Sequence, residues 1–520
     1  MERSNVYPKR EMDRENFYST EEIFKPDYYF EIMKAIKSTL GPSSMEKFLK
    51  KKKTDETIVT NDGATILNNV IFSNPISRII VEVARSQDFE IGDGTTTVCL
   101  FSIELLKEVK CLLTEGIHPI RIANSLKKGA SITIQILNEV AKIPKCRNID
   151  SFRRMLISCC ATSLNSKLIS GKRHIFSEMI VDIGLYMGSQ FDINMISVKG
   201  VLGGNLIDSF FLKGIIIKKP FSYAGYEKQN KKLYYPLILL IDIELEIKTE
   251  KNLSETRINN IRDFKTMIDV EWSVMYEKLD KIAQSGARVV FSKKSIGDFA
   301  TQYFAERGII CGGRIFSDDL SRISKGTGAQ IISSHFNIKQ DFCGKCKIIE
   351  EKQIGNERFI VMAGCPTEAV TIIIRGGNKK LLDETKRCLN DGIMIMKRVI
   401  KNRKIVGGAG AIEIKLSSKI RRYIKKATGV EQTIFSKIAK SFEIIPKTLC
   451  ENAGLDFLSI ISLLKARHDE NDSWLGIDIE KGYVFDTIEN FIWEPVNVKI
   501  NAIQAATEIV SVLSNIGQFL

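Results

Sequence analysis

Histidine is scarce in this chain, and signals for export or membrane insertion are missing. Only four histidines occur among 520 residues, His118, His174, His335 and His468, and they form no ligand cluster, which excludes a histidine-built metal centre. The first 17 residues are charged and contain no apolar h-region, so no signal peptide is expected and the cytoplasm is the default location. The longest apolar stretch, around residues 233–241, is about half of what a bilayer span needs. The eleven cysteines follow no regular spacing and read as reduced, buried thiols. Cys343-Gly344-Lys345-Cys346 is a lone CxxC without a second pair at zinc spacing, so structural thiols are expected there rather than a metal. No GxxxxGK(S/T) loop and no short internal repeat occur.

What is present describes a globular chain too long for one core, and about two to four domains are expected. Hydrophobic residues make up 44% and charged residues 27%, the balance of an ordinary globular protein. The net charge of +14 comes from scattered lysines, many beside glutamate on predicted helix faces. The one dense cluster, Lys50-Lys51-Lys52-Lys53, lies between a predicted helix and the strand-like Thr57-Ile58-Val59-Thr60, and reads as a solvated turn. Neither nucleic acid nor membrane is expected as a partner.

The first ~145 residues read as helical. A helix over 28–40 ends at Gly41-Pro42, and another opens near Ile66 after the turn Asn61-Asp62-Gly63. The segment 95–115 is apolar on nearly every side, which predicts a helix buried in the middle of a domain. From about Val198 short β-rich runs alternate with turns, at 214–217, 237–243, 288–291 and 358–362, with helical stretches at 252–284 and 298–307 between them. That pattern predicts an inserted α/β or α+β domain of roughly 150 residues. After Val370-Thr371-Ile372-Ile373-Ile374 long helices return, over 380–400 and from Ile412 onward. The helical halves on either side of the insertion must then pack together.

The run Glu90-Ile91-Gly92-Asp93-Gly94-Thr95-Thr96-Thr97-Val98 says most about chemistry. Two glycines admit positive φ and close approach of a ligand. The threonines begin a helix, whose free N–H groups and dipole suit phosphate. Asp93 is a hard oxygen donor of the type that holds Mg²⁺. A nucleotide site is one reading and a capped helix turn the other. Leu40-Gly41-Pro42, Asn61-Asp62-Gly63-Ala64-Thr65, Leu389-Asn390-Asp391-Gly392 and Val406-Gly407-Gly408-Ala409-Gly410-Ala411 look like parts of the same site, although each alone also reads as a turn, a surface helix residue or close packing.

The order of these segments resembles the group II chaperonins, the thermosome and cytosolic chaperonin (TRiC/CCT) family, over roughly residues 25–514. Thr39-Leu40-Gly41-Pro42, Asn61-Asp62-Gly63-Ala64-Thr65-Ile66-Leu67, Gln87-Asp88, Gly92-Asp93-Gly94-Thr95-Thr96, Arg375-Gly376-Gly377 and Trp493-Glu494-Pro495 carry the likeness. Phe221-Ser222-Tyr223-Ala224-Gly225-Tyr226, Ala300-Thr301-Gln302-Tyr303-Phe304-Ala305 and Phe491-Ile492-Trp493-Glu494-Pro495 point to the family's eta branch.

The resemblance implies a multidomain α and α/β fold. It has a mainly helical equatorial domain (1–145 and 403–520), an α/β intermediate domain (146–212 and 366–402) and an inserted α/β apical domain (213–365). The charged stretch 248–270 corresponds to a helical protrusion that serves as a built-in lid. ATP and Mg²⁺ are the implied cofactors. Asp93 would hold the metal, and Gly92, Gly94, Thr95, Thr96 and Thr97 would surround the phosphates. Leu40, Gly41, Pro42, Asn61, Gly63, Gly408 and Gly410 would complete the nucleotide cradle. Asp62 and Asp391 would position and activate water, Lys167 would sense the γ-phosphate, and Asp478 and Glu494 would lie near ribose and base. Asp391 would arrive with the segment returning from the insertion, which couples hydrolysis to closure.

Phe299, Tyr303, Phe304 and Arg307 would form an apical client-binding face, with packing into the apical core as the rival reading. Seven paralogous subunits in a sixteen-subunit double ring, non-native clients such as actin and tubulin, and prefoldin-type co-chaperones are the implied partners.

The chain departs from the family pattern at three positions. Ser43 and Ser44 replace a basic residue and a glycine after Leu40-Gly41-Pro42, and Ala409 replaces the middle of three glycines. Reduced ATP affinity or turnover is expected if the Ala409 methyl crowds the nucleotide, and tolerance if its φ is negative. The chain ends six residues past Ser514, without the long Gly/Met-rich tail. Beside the ATP-hydrolysing subunit stand two other readings: a structural ring member that binds nucleotide with little turnover, and a free-standing phosphotransferase without an inserted domain.

Overall fold

The computed structural model describes residues 26–50, 57–72, 74–144, 148–188, 191–221, 230–246, 261–336, 338–470 and 473–516. Residues 51–53 of the lysine cluster, 222–226 of the Phe221 passage, 248–260 of the expected lid and 517–520 lie outside them. Two compact units form, one from Met1–Val181 with Arg387–Leu520 and the other from Asp182–Lys386.

The first unit is built around the helix Thr95–Thr114, in which Val98, Leu100, Leu105 and Leu112 are wholly buried. A helix apolar on every side needs neighbours on every side. The helices Pro75–Glu90, Val430–Ser441, Ile444–Ala453 and Val496–Ser514 supply them. Both ends of the chain therefore share one core, and Phe101 stacks on Phe442 with ring centroids 4.5 Å apart. The deepest carboxylate of this helix, Glu108, meets Lys437 at 2.9 Å and Lys440 at 2.6 Å. Burial alone would raise its pKa, but the two ammonium groups outweigh burial and hold it below the usual value.

Three short antiparallel ladders edge this core. Lys47–Lys50 pairs with Thr57–Thr60, so the lysine cluster begins on a strand. Ile405–Gly407 pairs with Trp493–Pro495, which sets Val406 opposite Glu494. Leu475–Asp478 pairs with Tyr483–Asp486.

The second unit is α/β. Its six-stranded sheet runs Ile196–Leu202, Val370–Gly376, Phe210–Ile217, Glu357–Ala363, Ile348–Ile354, Lys232–Tyr234, antiparallel except at the first pair. In the second sheet Leu237–Ile241, Val289–Ser292 and Ile310–Gly312 pair in parallel, with helices Ile261–Gln284 and Asp298–Glu306 as crossovers. Residues 238–241 and 289–292 are all buried, as expected of parallel strands covered on both faces. Cys343 and Cys346 are buried, and burial pushes the Cys346 thiol up to about 12, which leaves it unreactive.

The expected client face is corrected here. Phe304 is fully buried, Tyr303 is 6% exposed, and both belong to the core under the second sheet. Phe299 is half-buried, edge-on to Trp272 at 4.7 Å and Tyr276 at 5.1 Å. The helix is amphipathic, and its aromatic side faces inward. Of the four residues only Arg307 is exposed, its guanidinium 3.5 Å from the Tyr303 ring centroid. Phe304→Ala should therefore cost about 3–5 kcal/mol of stability. Urea denaturation checks this, and a loss below about 1 kcal/mol would restore the surface reading.

Candidate functional site

Two helix starts face each other across the site. Asp62 caps the helix Gly63–Asn69, its Oδ2 accepting from Thr65 N at 2.9 Å and from Thr65 Oγ1 at 2.6 Å. Its Oδ1 accepts from Thr95 Oγ1 at 3.4 Å, which links it to the second start. There Gly92 and Gly94 take φ of +81° and +76°, and Gly94 N donates to Asp93 Oδ1 at 2.7 Å. Only glycine adopts these values freely, and they turn the chain so that Thr95 and Thr96 open the core helix. Beneath the turn, Gln87 Nε2 donates to the Asp93 carbonyl at 2.9 Å, and Asn501 holds Gln87 in place at 2.8 Å.

Lys167, in the loop after the helix Ile149–Leu164, reaches Asp391 Oδ2 at 2.9 Å. The two side chains are only 9% and 13% exposed. Asp391 lies on the helix Lys379–Lys401, whose Met394 packs under Gly92. The surface-residue reading of Asp391 is thus replaced by a place in the site. Asn61 fastens the Lys167 loop by donating to the Ser166 carbonyl and to Ser44 Oγ at 3.2 Å. Ser44 Oγ in turn donates to that same carbonyl at 3.3 Å.

One cation thus stands among several acids. Burial would lower the Lys167 pKa, but Asp391, Asp62 and Asp93 hold it well above the ordinary lysine value. Burial raises Asp391 well above the usual range and raises Asp93 as well, with Lys167 opposing in both cases. Asp62 goes the other way, because Lys167 and the Thr65 bonds outweigh its burial. Burial and the charges of Asp62 and Asp93 lift Asp88 to about 6.

A site with this excess of negative charge fits a divalent cation carried in with phosphates. Asp93 offers the hard oxygen, and the buried Asn61 Oδ1 has no hydrogen-bond partner. Among the described residues no three His, Cys, Asp or Glu side chains are placed to ligate a metal by themselves, so other ligands would have to come with the ion.

Beside the acids lies a cavity of about 680 Å³, lined by Leu40, Gly41, Pro42, Asp93, Gly94, Thr97, Ala409, Gly410, Asp478 and Glu494, among others. A smaller cavity of about 60 Å³ shares Asp93 and Gly94 and adds Asn61, Asp62, Gly63, Thr95, Thr96 and Lys167. Gly408 backs Glu494. The structure therefore gathers the predicted nucleotide residues, with Gly92 packed beneath and Asp391 reached through Lys167.

The profile of the TCP-1/cpn60 chaperonin family matches residues 32–518. The chain belongs to this family. It is 41% identical over 488 residues to T-complex protein 1 subunit eta of Arabidopsis thaliana, covering 93% of this chain and 87% of that one. The human protein of the same name is also 41% identical, covering 94% and 90%, and that of Saccharomyces cerevisiae is 39% identical, covering 94% and 88%.

Two residues of this chaperonin site escaped the sequence reading. Glu413 and Lys499 line the large cavity, and both are buried. The available signals were a glutamate three residues after Gly410 and a lysine between Val498 and Ile500 in the helix Val496–Ser514. The hairpin between Leu475 and Asp486, which supplies Asp478 and Tyr483 to the wall, was also unforeseen.

Ala409 takes φ of +53°, so the condition under which its methyl would be harmless is not met. A left-handed alanine costs about 1–2 kcal/mol, part of which glycine forfeits through its freer unfolded chain. Ala409→Gly should thus stabilise the protein by about 0.5–1 kcal/mol, read as a higher urea midpoint.

Asp88 generates a pH prediction. Its folded pKa of about 6 lies above the ordinary 3.8, so the folded state binds more protons between those values. Stability then falls as pH rises through that window, and the full penalty applies above it. Asp88→Asn should raise the nucleotide-free thermal midpoint at pH 7.5, with the gain vanishing at about pH 4. An equal gain at both pH values would sink the assignment.

Proposed function

We propose that this chaperonin is the eta-type subunit of a hetero-oligomeric double ring that binds and encloses non-native proteins and hydrolyses ATP. The observation that carries the reading is the Lys167–Asp391 ion pair at 2.9 Å, with Asp62 and Asp93 in electrostatic contact with the same lysine. Backbone amides at Gly94, Thr95 and Thr96 open a 20-residue helix, and that dipole end favours phosphate oxygens. Asp93 would hold Mg²⁺, which supplies charge neutralisation between phosphates when bound.

Asp62 and Asp391 are the candidate groups for orienting water and drawing off its proton. Asp62 is suited to accept because its Thr65 hydrogen bonds and the nearby charge of Lys167 keep it ionised. Asp391 is paired with Lys167, so a γ-phosphate that competes for the lysine frees the carboxylate for water. Lys167 would report the phosphate through that exchange of partners. Gly408, Gly410, Asp478 and Glu494 would enclose ribose and base.

On this reading seven paralogous subunits complete a sixteen-membered double ring. Clients are non-native cytoplasmic proteins of the actin and tubulin class, delivered by prefoldin-type co-chaperones. The apical region would contact them through exposed residues such as Arg307, and the segment around 248–270 would act as lid. No helix among the described residues is long and apolar enough to cross a membrane.

The strained Ala409 favours a second reading, a nucleotide-binding ring member with little turnover. Single-turnover hydrolysis separates the two in rings where only this subunit retains its aspartate at the Asp391 position. We expect hydrolysis at this subunit, reduced at least about 10²-fold by Asp391→Asn with ATP still bound. Bound but unhydrolysed ATP in the parent subunit would establish the structural reading.

A further inference from the structure

At one wall of the large cavity the buried pair Glu413–Lys499 stands against Glu494, and neither Glu413 nor Lys499 has a part in the chemistry described so far. Lys499 Nζ stands 2.7 Å from Glu413 Oε1 and 2.7 Å from Glu494 Oε2. Its side chain is 10% exposed and that of Glu413 only 4%, whereas that of Glu494 is 26% exposed and opens into the cavity. Apart from Lys499, neither buried Glu413 oxygen has a hydrogen-bond partner, so that ion pair is what compensates its charge. A buried lysine between two carboxylates is costly to assemble and replaceable by apolar packing where stability alone is at stake.

The geometry instead directs one oxygen. Lys499 occupies Glu494 Oε2 and leaves Oε1 above Gly408, where a Cβ on that residue would come within 2.8 Å of it. Glu494 is further fixed by its strand, opposite Val406. A carboxylate oxygen accepts hydrogen bonds and repels phosphate. The part of a nucleotide that lies against it must therefore carry donors, and sugar hydroxyls are such donors.

We propose that Lys499 is a positioning residue that locks Glu494 with Oε1 free for a ribose hydroxyl, and so makes the site prefer ribonucleotides over 2′-deoxyribonucleotides. Glu413 holds Lys499 from the opposite side. Nothing is bonded or transferred in this role, since Lys499 acts only through the orientation of Glu494. The inference rests on the nucleotide reading given above.

The test is equilibrium binding of ATP and of 2′-deoxy-ATP to the full-length chain, under conditions without hydrolysis. The parent should prefer ATP by about tenfold or more, the worth of one hydrogen bond to a charged group. In Lys499→Met the preference should collapse to about twofold or less, because Glu494 is then free to turn away. A purely structural lysine would weaken both nucleotides alike and leave the ratio intact.

Should Lys499→Met fail to fold, Lys499→Met with Glu413→Gln restores the triad's net charge and still leaves Glu494 unheld. An unchanged ratio in either folded variant overturns the proposal while leaving the nucleotide site standing. A parent chain that binds neither nucleotide overturns both.

Discussion

The ammonium group of Lys167 is what the site depends on. Asp62, Asp93 and Asp391 all act on it, and only Asp391 touches it. At an effective dielectric near 20, charges about 4 Å apart interact by about 4 kcal/mol, so carboxylates without a cation could not all stay ionised in so small a space. One lysine against three acids leaves a deficit of positive charge. On the proposed reading that deficit would draw in a cation with its anionic ligand, and a γ-phosphate added there would compete with Asp391 for the lysine. Binding and water activation would thereby be tied to one side chain.

Such a balance holds only if the groups cannot drift, and the core of the first unit meets that need. The helix Thr95–Thr114 packs along its body and brings its first turn to the wall of the smaller cavity. The Val496–Ser514 helix against it supplies Asn501 beneath Gln87 and Lys499 beside Glu494. Residues some 400 positions apart are thus fixed by the same interdigitated layer, because close-packed interiors transmit position with little slack. The join of the two chain ends is what keeps the halves of the cavity in register.

What could be read from the sequence followed the strength of its local signal. The 95–115 segment, apolar on nearly every side, and the Val370 run appeared close to where they were expected, since burial on most sides leaves few other patterns. Gly92-Asp93-Gly94 stood out because two glycines flanking a carboxylate permit the positive φ that Gly92 and Gly94 take. Buried charge was less legible. Glu413 and Lys499 look like solvated residues until the layer that covers them is known, and Asp391 did too. The error at Tyr303 and Phe304 has the same origin reversed: an aromatic stripe at helical spacing fits a client surface and a core equally, and only the strands above it decided for the core.

Of the three departures from the family pattern, two act on the site's geometry, and all spare its carboxylates. Ser43 lies on the cavity wall. Ala409 stores backbone strain where the cavity meets the Leu475–Asp478 strand, whose Ile477 N donates to its carbonyl at 3.1 Å. That bond fixes the alanine's conformation, so the strain cannot relax without loosening the wall. Ser44 works in the opposite sense. Its hydroxyl, which a glycine would lack, adds a bond to Ser166 and so steadies the loop that carries Lys167. One change raises the energy of the assembled site at the wall and the other lowers it at the Lys167 loop. Both leave the Lys167–Asp391 pair and the neighbouring Asp62 and Asp93 in place, so what they alter is how readily this geometry is reached and left, which on the proposed reading is a matter of rate rather than of the kind of chemistry.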